Sequence, residues 1–65
     1  MPFSPKDKAD EVRRELNLRR AVFVKLVANG SLSPKEAARR IAVMEEILAD
    51  YRVLAEAEDA KERLI

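Results

Sequence analysis

A chain of 65 residues has room for one small domain, and with neither cysteine nor histidine it can staple that domain with neither a disulfide nor a zinc site. Charged residues make up 38% and apolar residues 48%, with a single glycine, which is the balance of long amphipathic helices rather than of a disordered segment. The net charge of +1 gives no global pull toward nucleic acid or acidic membranes, and no run of about 18 apolar residues is present to span a bilayer.

In chain order, residues 1–4 form a short lead-in, and Ser4-Pro5-Lys6-Asp7 then reads as a helix start, with serine as cap, proline first and an acid third. The first helix is expected over about residues 5–28. At 100° per residue its apolar stripe is Ala9, Val12, Leu16, Phe23, Leu26 and Val27, with Arg19 and Arg20 beside it. Near the end of this helix the apolar sector broadens to roughly 200°, more than one partner helix can bury. Leu18, Val22, Val24 and Leu26 carry that surplus and are the candidate residues for contact with another chain.

Residues 29–33 are the turn. Asn29 and Gly30 can adopt the left-handed conformation that closes a helix, while Ser33 caps the next and Pro34 suits its first position. Glu36 would complete a capping box, its amide donating to the Ser33 hydroxyl and its carboxylate reaching back to the Ser33 amide.

The second helix is expected over about residues 34–55, followed by a solvated helical tail to residue 65. Ala37, Ile41, Met44, Ile47, Leu48, Tyr51, Leu54 and Ala55 fall in one sector about 140° wide. Beyond Ala55, Glu58 and Glu62 stand where further core residues would be needed. Helices of matched length on either side of a tight turn predict an all-α fold, an antiparallel two-helix hairpin. Its core is expected to be Val12, Leu16, Phe23 and Val27 against Ile41, Met44, Leu48 and Tyr51. In that register Arg13 lies near Asp50, and Arg19 and Arg20 lie near Glu45 and Glu46. A lone hairpin has only one internal interface, so two copies are expected to dimerise into a four-helix bundle of coiled-coil type.

The charge is unevenly spread. Residues 13–40 carry eight bases against two acids, and residues 41–65 carry seven acids against three bases. Lys25, Lys35, Arg39 and Arg40 lack evident partners across the hairpin and form a candidate anion patch near the turn. The stretch Leu32-Ser33-Pro34-Lys35-Glu36-Ala37-Ala38-Arg39-Arg40 resembles the opening helix of bacterial helix-turn-helix proteins. Those proteins then turn, usually at a glycine, into a recognition helix. Here Ile41-Ala42-Val43-Met44-Glu45-Glu46 continues unbroken and becomes acidic.

Without histidine or cysteine there is no imidazole base and no thiol nucleophile, and the one glycine is committed to the turn, so no phosphate loop exists. No catalytic, metal or cofactor residue is therefore assigned. The function expected is a small self-association or adaptor module in the cytoplasm, with a homodimer or another protein as partner and no membrane. The alternative is a nucleic-acid-associated regulator that binds phosphates through the basic patch.

Overall fold

The computed structural model describes residues 2–63, so the expectations placed on Met1, Leu64 and Ile65 lie outside the described residues. The chain forms two helices, α1 over Pro5–Ala28 and α2 over Pro34–Arg63, packed along each other as a hairpin. The result is a rod 53 Å long and only 18 by 16 Å across.

Each helix begins at a serine, but the two starts are built differently. Before α1 the Asp7 amide donates to Ser4 Oγ at 3.1 Å and the Ser4 amide donates to Asp7 Oδ2 at 3.3 Å, a complete capping box. Before α2 the Glu36 amide donates to Ser33 Oγ at 3.1 Å. The Glu36 carboxylate does not reach back as the sequence suggests. It turns along its own helix, where Oε1 accepts from Arg40 Nε at 3.1 Å and lies 3.6 Å from Arg39 Nη1. Two guanidinium groups within one helical turn outcompete a single amide for that carboxylate.

The end of α1 is a Schellman motif. Gly30 N–H donates to the Val27 carbonyl at 3.2 Å and Ser31 N–H to the Leu26 carbonyl at 2.9 Å, satisfying acceptors that the helix end would otherwise strand. Only Gly30 takes the left-handed conformation, at φ 79°, whereas Asn29 stays at φ −91°. Asn29 contributes through its side chain instead, its Oδ1 accepting from Ser31 N–H at 2.9 Å.

The helices meet along a narrow seam. Ala9, Leu16 and Phe23 of α1 are buried, as are Ala37 and Leu48 of α2, and Leu16 is the most enclosed at 2% exposure. The three residues of α1 are seven apart, so they lie nearly on one line down the helix. Val12, Ile41, Met44 and Tyr51 pack half-buried against the Ala9–Leu16–Leu48 cluster. Val27 is also half-buried, while Phe23 and Ala37 share the groove near the turn. Ile47 and Leu54, although in the predicted sector of α2, are 36% and 52% exposed. One partner helix covers a strip narrower than 140°, and these two residues lie on its uncovered side. Past Ala55 every described residue of α2 is exposed.

Candidate functional site

Two contacts across the seam orient the rod. Arg20 Nη2 lies 3.7 Å from Glu45 Oε1 on one side, and Lys8 Nζ sits 5.8 Å from the centre of the Tyr51 ring on the other. The first contact also fixes the level at which the helices face each other. Leu18 and Val22 stand two residues either side of Arg20, and Val43 and Ile47 stand two residues either side of Glu45, so all four lie at one height along the rod.

Helical rotation turns those four toward one side as well, Val22 and Ile47 squarely and Leu18 and Val43 at its outer edges, about 160° round from Leu16 and about 140° round from Leu48. Leu26 follows Lys8 by about five full turns and therefore shares its flank, with Val22 and Leu18 one and two turns before it. On α2, Ile47 precedes Tyr51 by one turn, Val43 precedes Ile47 by another, and Leu54 follows Tyr51 by three residues. The Tyr51 side of the hairpin thus carries an apolar stripe from each helix. Leu18, Val22, Val43 and Ile47 are exposed to 56%, 50%, 43% and 36%, a cluster that nothing else among the described residues covers.

The candidate contact residues read from the sequence do not all share this face. Leu18, Val22 and Leu26 do, though Leu26 is half-buried. Val24, 70% exposed, sits about 200° around the helix from Val22 and faces the Glu45 side. There it lines a shallow apolar groove of about 480 Å³ together with Phe23, Val27, Ala37 and Ile41, next to Arg20. Val43 and Ile47 lie outside that candidate set. Their signal was the four-residue spacing on α2, legible only once the partner helix is known to lie against Leu48 rather than Ile47.

The basic cluster at the turn is partly neutralised. Arg39 and Arg40 both share the Glu36 carboxylate, while Lys25 and Lys35 are exposed. Elsewhere the ion pairs run mostly along the helices rather than between them: Arg13 pairs with Asp10 at 3.8 Å and Arg19 with Glu15 at 3.4 Å, instead of with Asp50 and Glu45 or Glu46. Neighbours three and four residues away on the same helix share its face and stand within reach, and among the described residues the cross-seam Arg20–Glu45 pair is the exception.

No group of three His, Cys, Asp or Glu residues that could hold a metal ion is found among the described residues, and none of their buried side-chain polar atoms lacks a hydrogen-bond partner. No described helix is long and apolar enough to cross a membrane. The chemistry this geometry offers is an apolar surface framed by charge. No known protein family, curated protein or solved structure matches the chain.

Proposed function

We propose that this hairpin is a self-association module: two copies pack into a four-helix bundle with coiled-coil-type side-chain interlocking. Its task would be assembly or adaptor binding in the cytoplasm rather than catalysis. The carrying observation is the cluster of Leu18, Val22, Val43 and Ile47 at one height on one side of a rod whose own seam buries five residues. Large apolar side chains gathered on one face of a small helical domain are the usual mark of a protein contact, and a second hairpin is the natural complement to a hairpin's open side.

Sedimentation equilibrium at micromolar concentration tests the reading. A dimer is expected, with a melting temperature that rises with protein concentration because association stabilises only the folded chain. A well-folded monomer whose melting is independent of concentration overturns it. The double variant Leu18→Glu, Val22→Glu is expected to remain helical and lose the dimer. Phosphate binding through the turn patch draws less support, since Arg39 and Arg40 already share Glu36.

A further inference from the structure

We infer that the second copy docks on the Tyr51 side in antiparallel fashion, the turn end of each hairpin over the open half of the other. This rests on the self-association reading and specifies its geometry. The apolar cluster centres on the level of Arg20 and Glu45, eleven residues from Ser31 and eighteen from Arg63, and a two-fold axis through it can run either along the rod or across it, the cluster becoming self-complementary in both cases. Hydrophobic contact alone does not choose between the two arrangements.

Charge does. The turn end carries Lys25, Lys35, Arg39 and Arg40 against Glu36 alone. The open end carries Asp7, Asp10 and Glu11 at the start of α1, and Glu56, Glu58, Asp59 and Glu62 near the end of α2. These seven outnumber the six bases at the same heights, Lys6, Lys8, Arg13, Arg52, Lys61 and Arg63. The rod is therefore positive at one end, negative at the other and balanced between them, where the apolar cluster sits. A parallel pair would place the two positive ends side by side and the two negative ends likewise. An antiparallel pair sets each positive end against a negative one. Complementary charge of this kind selects orientation more than it adds affinity.

One polar pair on the docking flank is compatible with either arrangement. Arg19 and Glu15 lie on this side, hydrogen-bonded to each other at 3.4 Å, so the pair enters the interface already matched.

The chain has no cysteine, so a nitroxide attached through Ser31→Cys marks the turn alone. Ser31 is exposed, and its backbone bonds in the turn do not use the hydroxyl. With the two-fold axis at the level of Arg20, the two labels of an antiparallel dimer stand about 33 Å apart along the rod, since eleven residues on each side rise about 1.5 Å apiece. Labels in a parallel dimer stand within roughly 20 Å, the spacing of adjacent helices plus the probes. Pulsed dipolar spectroscopy is expected to give the longer distance. A dimer with only the short distance overturns the antiparallel arrangement and leaves self-association standing. A monomer by sedimentation overturns both. Ile47→Glu is expected to abolish the dipolar signal, with Val43→Glu as an independent second variant and circular dichroism confirming that each remains helical. Val53→Glu, on the opposite side of α2, is expected to preserve the signal. A folded Ile47→Glu or Val43→Glu chain that keeps the 33 Å distance overturns the assignment of the face.

Discussion

Gly30 is the residue whose identity the backbone constrains most. At φ 79° any other L-residue places its Cβ against its own carbonyl, while a Cβ added there meets nothing within 4 Å. The strain of a substitution is thus local, with no clash against the rest of the fold. Gly30→Ala is expected to lower stability by about 1 to 2 kcal/mol and Gly30→Asn by less, since asparagine tolerates the left-handed region. Urea denaturation of the three chains measures the order. The two caps make a second comparison: Ser4→Ala removes the serine from a reciprocal box and Ser33→Ala removes it from a one-sided cap. Each is expected to cost about 1 kcal/mol, with Ser4 the greater loss, and urea midpoints again distinguish them. Both serines were legible as caps because capping depends on four consecutive residues. Whether the acid returns to the cap was not, because Glu36 has Arg39 and Arg40 within reach and Asp7 has no arginine at the equivalent spacing.

At the scale of elements, the helices and the turn were readable because their signals are local: apolar spacing, a serine–proline start and an asparagine–glycine stop. The centre of the seam was readable for the same reason, in Leu16, Phe23 and Leu48. What the spacing of α2 could not supply was the direction from which α1 approaches. A sector of 140° admits several approaches, and the structure takes the one that centres on Leu48 and leaves Ile47 and Leu54 outside. The same ambiguity hid Val24, which spacing alone assigns to the general apolar surplus. Phe23 anchors the seam near the turn at 9% exposure. Phe23→Ala is expected to cost about 3 to 5 kcal/mol, a large share of the stability of a domain this size. Thermal unfolding followed by circular dichroism checks it, and an unchanged midpoint would contradict the placement of the seam.

At the scale of the whole molecule, the rod is two helices thick, so it has an inside only along a line. Everything off that line is surface until another chain covers it, which is why the Tyr51 side dominates the functional reading. The opposing hypothesis, phosphate binding at the turn, makes a separate prediction. Any affinity for generic DNA should fall steeply as salt rises, in proportion to the number of phosphates contacted. Fluorescence anisotropy with a labelled duplex is expected to show little binding at 150 mM salt, and Glu36→Gln, which frees Arg39 and Arg40 from their shared carboxylate, is expected to strengthen it. Tight binding by the unaltered chain at that salt, weakening as salt rises further, would favour a nucleic-acid role.

The Schellman turn has a kinetic meaning as well. Its bonds join residues 25 to 32 only, so it can form before any contact between the helices exists. From there each successive pair across the seam closes a longer loop than the last, and the entropy of closure grows slowly with that length. The order of assembly expected is then that of a zipper, from Gly30 outward to Ala9. Chains of this topology fold in microseconds to milliseconds. A substitution at Gly30 should therefore slow folding more than it speeds unfolding, whereas one at Ala9 should do the reverse.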